Sequence, residues 1–361
     1  MRHTEASEAL VCISMQPLSE MKKYPYLASI LVIPIGLLLF ICTPSATGLG
    51  LLLVASIYPV LVGLGVSRLT AVSVISACTV FDMGPASANT ARAAELIGKS
   101  NVAYFIEDQL PITIPATIVL MIIYYFSNKY FDKKEKSEKE VVKKEDFKLT
   151  APLIYAVLPI LPLILLIVFS RFIELFPDNP IILDTTTAIF ISVTIAFVFE
   201  LIRKRKAKEV FASLKIFWEG MGKVFATVIT LIVAAEIFST GLISLGFIDG
   251  LVDISTHLGL GAVGIGILIA VIIFLASMLM GSGNASFFSF GPLVPDIATK
   301  LGVKAADMIL PMQLASSMGR ATSPIAGIIV AISEIAGVSA FDLAKRNLIP
   351  LVVGLIFILV Y

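Results

Sequence analysis

One arginine and several clusters of small polar residues interrupt sequence that is otherwise apolar. Arg320 lies in the segment QLASSMGRATSP, and its planar guanidinium suits bidentate binding of a carboxylate. The hydroxyl, amide and glycine residues of the clusters are typical of helix N-termini, where free N–H groups and about half a positive charge attract an anion. The predicted anion-binding residues are Thr43, Ser45, Thr47, Gly48, Gly84, Pro85, Ser87, Ser282, Gly283, Asn284, Ser286, Arg320, Thr322 and Ser323.

The composition indicates that these clusters lie within a polytopic membrane protein. Of 361 residues, 58% are apolar and 15% are charged, whereas soluble proteins are about 45–50% apolar and about 25% charged. The net charge of +1 gives no basis for nucleic-acid binding. Three cysteines without ligand spacing and two distant histidines predict neither a disulfide framework nor a metal site, and no cofactor is expected.

Five uninterrupted segments are predicted to be transmembrane helices. A spanning helix requires about 20 apolar residues. The segments that meet or approach this length are 109–127, 151–173, 186–202, 222–245 and 347–361, of which the last is short.

Four further apolar stretches are interrupted at their centres. TPSATGLG interrupts 27–64 and GSGNASF interrupts 263–298, and both stretches are predicted to be re-entrant hairpins. FDMGPASAN interrupts 69–98 and SSMGRATSP interrupts 305–335, which are predicted to be broken transmembrane helices. Irregular backbone at membrane depth is tolerated only where it is buried in protein or lines a cavity. The four breaks therefore predict a transport site.

Basic residues set the orientation of the chain in the membrane. Residues 128–148 contain eight lysines and six acids, and residues 203–223 contain seven lysines or arginines. The connections 174–185 and 246–262 contain no lysine or arginine. By the positive-inside rule the first pair of connections is cytoplasmic, and 128–150 is predicted to be a charged cytoplasmic linker.

The sequence repeats itself at an offset of 239 residues. An internal repeat of this size indicates a duplicated fold. The matches are Ser45-Ala46-Thr47 with Asn284-Ala285-Ser286, Gly84-Pro85 with Ser323-Pro324, Glu95 with Glu334, Gly98 with Gly337, Ser100 with Ser339, and Pro111 with Pro350.

The number of predicted crossings determines the symmetry of the repeat. If both hairpins enter and leave on one side, the two broken helices are an odd number of crossings apart, so the repeats are inverted. The predicted fold is therefore an all-α, inverted-repeat secondary transporter, with a first repeat at 1–127 and a second at 151–361. About 112 residues precede the hairpin of the second repeat but only 26 precede that of the first. We therefore expect the chain as given to lack the first two and a half helices.

Two acidic residues lie in predicted membrane segments. Asp82 and Glu236 are candidates to bind the coupling ion, since an intramembrane acid can carry a proton. An alternative role for either acid is an ion pair with Arg320 that only ties helices together. Unwound carbonyl groups at the hairpin tips offer a second kind of cation site, which would suit Na⁺.

Other polar residues are given structural interpretations. Arg92 and Glu95 are spaced as a local helix pair, and Gln313 is expected either to line the site or to pack against it. A Ser/His/Asp set, an HExxH motif, a phosphate-binding loop and a pair of catalytic acids are all missing from the sequence. An enzyme is therefore not expected.

Several motifs together resemble a known family. They are PSATGLGLLLVASIYPVLVGLGVSR, MGPASAN, IEDQLPITIPATI, GSGNASFFSF, QLASSMGRATSPIAGIIVAISEIAGVS and KRNLIPLVVGLI. With these motifs, the chain resembles the anaerobic C4-dicarboxylate carriers of the DcuC type, within the ion transporter superfamily, from about residue 3 to its end.

The resemblance implies transport of succinate, fumarate or malate across the bacterial inner membrane, by efflux, uptake or exchange, with a homodimer usual in the superfamily. Related carriers bind carboxylate and Na⁺ at Ser-Asn-Thr hairpin tips. The tips here are Ser45-Ala46-Thr47 and Asn284-Ala285-Ser286, and both lack the central asparagine. A proton or exchange is therefore favoured over Na⁺ as the coupling mode.

Alternatives to a dicarboxylate carrier are an amino-acid carrier of the same broad family, an inactive fragment of a dicarboxylate carrier, and a channel. A basic amino acid would require further acidic residues near the tips, where Asp82 is the sole candidate in the sequence. Inverted hairpins favour a closed central site, opened to one side at a time, over a pore.

Overall fold

A computed structural model of the chain describes residues 5–15, 21, 24–135, 152–173, 181–259 and 261–361. Every regular element among these residues is a helix. Within these described ranges, seven helices are long and apolar enough to cross a membrane, namely Pro25–Cys42, Ala46–Gly63, Asn101–Lys134, Thr185–Lys204, Ala207–Ser244, Gly261–Met280 and Ala340–Val360.

Nineteen α-helices, several of them joined end to end, make up the described structure. In chain order they are α1 (Ala6–Met15), α2 (Pro25–Cys42), α3 (Ala46–Ser56), α4 (Tyr58–Gly63), α5 (Arg68–Ala77), α6 (Ala88–Leu96), α7 (Asn101–Tyr104), α8 (Leu110–Glu135), α9 (Val157–Val168), α10 (Thr185–Lys204), α11 (Ala207–Val224), α12 (Thr230–Ser244), α13 (Phe247–Leu258), α14 (Gly261–Met280), α15 (Gly283–Phe290), α16 (Val294–Leu301), α17 (Ala305–Ala321), α18 (Gly327–Ala336) and α19 (Ala340–Val360). π-Helical turns join α7 to α8 (Phe105–Gln109) and α11 to α12 (Phe225–Ile229), and 3₁₀ turns precede α9 (Leu153–Ala156) and α16 (Gly291–Leu293).

The four predicted interruptions are present as breaks between helices. The chain leaves helical geometry between α2 and α3, between α5 and α6, between α14 and α15, and between α17 and α18. A serine caps the helix that follows each of the first three breaks. The hydroxyl groups of these serines accept backbone N–H groups that the first helical turn cannot satisfy.

Three predicted helices are longer than their apolar cores. α11 and α12 run together from Ala207 to Ser244, although 203–223 was predicted to be a connection. α8 extends to Glu135 and so includes the first eight residues of the predicted linker, while the linker residues 136–150 lie outside the described part of the chain. α19 begins at Ala340, seven residues before the predicted start.

Hydropathy does not predict these extensions, because charged residues end the apolar run without ending the helix. In α11, Lys215 and Glu219 form an exposed pair four residues apart, with 3.5 Å between Nζ and Oε1. In α19, Ser339 caps the helix by accepting the N–H of Asp342 at 3.3 Å.

The two broken helices run antiparallel. At one end of the molecule, α18 finishes beside the start of α5: a Cβ added to Gly337 would lie 3.6 Å from Nη1 of Arg68. At the other end, Leu96, the last residue of α6, and Lys99 line one cavity with Lys304, which precedes α17. Each broken helix therefore starts where the other finishes.

The outer ends of the first interrupted stretch lie at the same end of the molecule. The Tyr26 hydroxyl at the start of α2 donates to Asp132 at 3.0 Å, and Asp132 also accepts from Ser67, just before α5, at 2.7 Å. The Tyr58 hydroxyl at the start of α4 donates to the carbonyl of Ala336 at 3.2 Å.

The outer ends of the second interrupted stretch lie at the opposite end of the molecule. A small cavity joins Ala262 and Val263, at the start of α14, to Val303 and Asp307, beside the start of α17. The last turn of α16 is close to α13, where Lys300 pairs with Asp249.

A buried ion pair links the two halves of the chain. Nη1 of Arg346 in α19 lies 2.6 Å from Oδ1 of Asp132 in α8, and the two side chains are 2% and 7% exposed. Thr70 donates to the same carboxylate at 2.9 Å, and the Arg346 guanidinium stacks over the ring of Phe131. This pairing allows an acid and a base to be buried without leaving either charge uncompensated.

Candidate functional site

The tips of the two predicted hairpins have the same capping geometry. Ser45 accepts the N–H of Gly48 at 3.3 Å, and Ser282 accepts the N–H of Ala285 at 3.2 Å. Both serines have extended backbone, with φ −137° in each case. Each tip therefore presents the N-terminus of a short helix within a stretch of membrane length.

Other hydroxyl groups at the tips are occupied by their own helices. Thr43 donates to the carbonyl of Leu39 at 2.7 Å, and Ser286 donates to the carbonyl of Gly283 at 3.0 Å. Such local bonds satisfy the hydroxyl hydrogen. These side chains can still accept a hydrogen bond, but they do not present a free hydrogen to a ligand in this conformation.

Both tips converge on the break between α17 and α18. Oγ1 of Thr47 is 3.4 Å from the position of a Cβ added to Gly327, the first residue of α18. A Cβ added to Gly281 would lie 3.1 Å from the backbone nitrogen of Ala326, and one added to Gly283 would lie 3.0 Å from the carbonyl oxygen of Ser316. The tips approach so closely because glycine occupies these positions.

The break between α5 and α6 is called the first break, and the break between α17 and α18 is called the second. The first break lies against the end of α2. Gly84 has φ +103°, a value that favours glycine, and a Cβ there would come within 2.8 Å of Ile41. Ser87 caps α6 and donates to Oδ1 of Asp82 at 2.6 Å, while Nδ2 of Asn89 donates to Oδ2 at 3.2 Å. The Asp82 carboxylate is 8% exposed and has both oxygens engaged.

Arg320 lies beside the second break, between α17 and α18, and its side chain reaches the first break, between α5 and α6. Its Nη2 donates to the carbonyl oxygen of Thr79 at 2.6 Å. Its charge attracts that of Asp82 electrostatically, but the two groups do not form a direct ion pair. Nε of Arg320 and Oγ of Ser323 are buried without a hydrogen-bond partner. The second break thus has two polar groups whose hydrogen-bonding capacity is not used within the protein.

Glu236 pairs with Arg92 and not with Arg320, the partner that the sequence analysis considered. Its carboxylate pairs with Arg92, which also lies 2.9 Å from Glu95. The local pair of Arg92 and Glu95 is thereby confirmed, and the alternative pairing of Arg320 with Glu236 is wrong. The Glu236 side chain is 55% exposed, so Asp82 is the better enclosed of the two predicted coupling acids.

A buried amide network joins the two breaks. Gln313 donates to the carbonyl of Asp82 at 2.8 Å and accepts from Tyr104 at 2.8 Å and from Gln109 at 3.1 Å. Gln109 in turn accepts the N–H of Gly84 at 3.1 Å. Gln313 therefore packs behind the site. In the sequence, Gln109 is recognisable only as a polar residue next to an apolar run.

A cavity of about 540 Å³ lies beside the first tip. It is lined by Thr43, Ser45 and Gly48 and by Glu8 of α1, whose Oε2 is buried without a hydrogen-bond partner. Glu8 was not among the predicted residues, because it lies before the first apolar run. A larger cavity of about 920 Å³, between α10 and α11, contains none of the predicted site residues.

The whole chain is similar to known proteins. A family model described as "DcuC: C4-dicarboxylate anaerobic carrier" matches residues 1–361. The chain is 34% identical over 360 residues to the "Anaerobic C4-dicarboxylate transporter DcuC" of Escherichia coli (strain K12), covering 100% of this chain and 77% of that protein. It is 35% identical over 361 residues to the "Probable anaerobic C4-dicarboxylate transporter DcuC" of Vibrio cholerae, covering 100% of this chain and 78% of that protein.

Proposed function

Because the chain belongs to the DcuC family of anaerobic C4-dicarboxylate carriers, we propose that it moves succinate, fumarate or malate by alternating access. It is a multi-pass protein of the bacterial inner membrane, and its relatives are carriers and not enzymes.

The convergence of both hairpin tips on the break that carries Arg320 is the observation that favours this function. Thr47 and Gly281 each approach the start of α18. Two helix N-termini and a guanidinium provide positive potential at several points. A substrate with two carboxylates can engage more than one of these points at once.

The antiparallel broken helices support an inverted repeat. The interrupted stretches 27–64 and 263–298 have their outer ends at opposite ends of the molecule, which supports two hairpins that enter from opposite sides. Half-helix N-termini that meet between inverted repeats are characteristic of carriers with a substrate site near the midplane. We therefore propose alternating access as the transport cycle. A homodimer is proposed only because the resemblance to the superfamily implies one.

A proton is the proposed coupling ion, with exchange as the other mode. Asp82 is the proposed proton carrier, because its carboxylate is enclosed and lies within electrostatic reach of Arg320. A substrate carboxylate that binds Arg320 would reduce the positive potential at Asp82 and favour its protonation. Na⁺ at the tips is less favoured, since Ala46 and Ala285 occupy their centres.

The test is transport of labelled succinate into proteoliposomes that contain the purified chain. We expect saturable uptake, faster exchange when unlabelled succinate or fumarate is inside, and accumulation driven by an inward proton gradient. Uptake that depends on a Na⁺ gradient alone would overturn the proton assignment. Lack of succinate transport, together with uptake of amino acids, would overturn the substrate assignment. Uptake that never saturates and shows no exchange would indicate a channel.

A further inference from the structure

Two amide side chains, Gln109 and Asn347, hold the two breaks in equivalent ways. Each lies in the helix that follows a broken helix. Each forms a hydrogen bond to the break of the preceding broken helix. Each also forms a hydrogen bond to the helix that leads into the other break, which is α17 for Gln109 and α5 for Asn347. Both side chains are completely buried.

Gln109 makes its bonds at the first break. Its Oε1 accepts the N–H of Gly84 at 3.1 Å. Its Nε2 donates to the hydroxyl of Thr90, in α6, at 2.9 Å and to Oε1 of Gln313, in α17, at 3.1 Å. One amide group therefore connects the break at Gly84 to the helix that leads to Arg320.

Asn347 makes the corresponding bonds at the second break. Its Nδ2 donates to the carbonyl of Ala321 at 2.9 Å and to the hydroxyl of Ser76, in α5, at 2.8 Å. Its Oδ1 accepts from Ser73, also in α5, at 2.9 Å. The break next to Arg320 is thus connected to the helix that leads to Asp82.

A π-helical turn brings the two amides into register. Ser100 and Ser339, which match in the repeat, cap the helices that carry Gln109 and Asn347. Gln109 is the ninth residue after Ser100, whereas Asn347 is the eighth after Ser339. The extra residue is absorbed by the π-helical turn at Phe105–Gln109, since an i→i+5 turn holds one more residue than an α-helical turn.

From this geometry we propose that Gln109 and Asn347 are positioning residues that fix the distance between the two breaks and so set substrate affinity. The inference rests on the proposed function, because it assigns the breaks to the substrate site. Neither side chain contacts the substrate. Each acts through the backbone at Gly84 or Ala321.

The first test measures the breaks without any substrate. The variants are Gln109→Leu and Asn347→Leu, and the matched control is Asn128→Leu. Asn128 lies in α8 and is 1% exposed, and neither atom of its amide has a hydrogen-bond partner. By hydrogen exchange with mass spectrometry, Gln109→Leu should speed exchange in peptides covering 82–87, and Asn347→Leu in peptides covering 319–327. Asn128→Leu should leave both regions unchanged, and equal exchange in all three variants would overturn the proposal.

The second test measures succinate exchange by the same proteins. Both variants should raise KM about tenfold, the effect of losing a buried hydrogen-bond partner, and should lower the maximal rate less. Asn128→Leu should leave KM unchanged. A lower melting temperature with unchanged KM would show a merely structural role. If the leucine variants do not fold, Ser76→Ala removes one partner of Asn347 and should raise KM about threefold, so an unchanged KM in that variant would refute the role of Asn347. An unmodified chain that does not transport succinate would count against the proposed function, and hydrogen exchange would still decide the role of the amides.

Discussion

The guanidinium of Arg320 donates a 2.6 Å hydrogen bond to the carbonyl oxygen of Thr79. The two residues are 241 positions apart and belong to different broken helices. The positive charge of Arg320, from the second broken helix, is therefore hydrogen-bonded at the break of the first. We therefore expect a ligand that binds Arg320 to affect the break that carries Asp82 directly, through this hydrogen bond.

Replacing Arg320 with lysine should weaken dicarboxylate binding. A lysine is a point charge without the planar fork, so a bidentate contact is lost, at a cost of about 1.5–3 kcal/mol, or roughly 10- to 100-fold in affinity. The measurement is KM for succinate exchange in proteoliposomes. The exposed Arg171→Lys serves as control and should leave KM unchanged. An unchanged KM in Arg320→Lys would show that Arg320 is structural.

The two predicted coupling acids should respond differently to neutralisation. Asp82→Asn should abolish accumulation driven by a proton gradient and retain exchange, because the proton-carrying group is lost while the size of the side chain and one acceptor oxygen are kept. Glu236→Gln should leave both activities intact, since Glu236 is paired with Arg92 and half-exposed. Uphill accumulation and counterflow, measured side by side, distinguish the two. Loss of accumulation in Glu236→Gln alone would reverse the assignment.

Removing the caps at the hairpin tips should weaken transport without unfolding the protein. Ser45→Ala and Ser282→Ala each remove a side chain that accepts a helical N–H, at a cost of about 1 kcal/mol. We expect KM for succinate to rise about fivefold for each variant. Ser56→Ala and Ser289→Ala, in the same two helices, are the matched controls. Equal KM values in cap and control variants would argue against a role for the tips.

A methyl group at Gly319 should destabilise the second broken helix. A Cβ at this position would overlap the carbonyl oxygen of Phe274 in α14, so the backbones must separate, at a cost of about 1–3 kcal/mol. Thermal unfolding in detergent should show a lower melting temperature for Gly319→Ala. Gly222→Ala, in α11, has nothing within 4 Å of the added Cβ and should leave the melting temperature unchanged or slightly higher. The proximity of α14 and α17 would be disproved by equal melting temperatures for Gly319→Ala and the unmodified chain.

Breaking the buried pair of Asp132 and Arg346 should be more damaging than removing it. Arg346→Met leaves the Asp132 carboxylate buried without its cation, at a cost of about 3–5 kcal/mol. The double variant Asp132→Leu/Arg346→Met removes both charges and should recover part of the lost stability. The measurement is the melting temperature of the two variants in detergent. A double variant less stable than Arg346→Met would show that the charged pair itself stabilises the fold.

The order of the amino acids shows where the chain is apolar enough to span a membrane and where each span is interrupted. These properties are local: the length of an apolar run and the presence of Ser, Gly and Pro within it are sufficient. Ser45, Ser87 and Ser282 were therefore predicted as site residues, and the structure adds that each of them caps a helix. The motifs also indicated the family, which the comparisons confirm.

The packing of the helices determines which polar groups have partners within the protein and which stay available for a ligand. Glu236 pairs with Arg92, 144 residues away, and Gln109 bonds to Gln313, 204 residues away. Spacing along a chain cannot reveal such partners, because they depend on how separate helices pack. The charged extensions of α8, α11 and α19 were missed for a related reason: hydropathy locates apolar residues, whereas backbone hydrogen bonding and side-chain pairing decide where a helix ends.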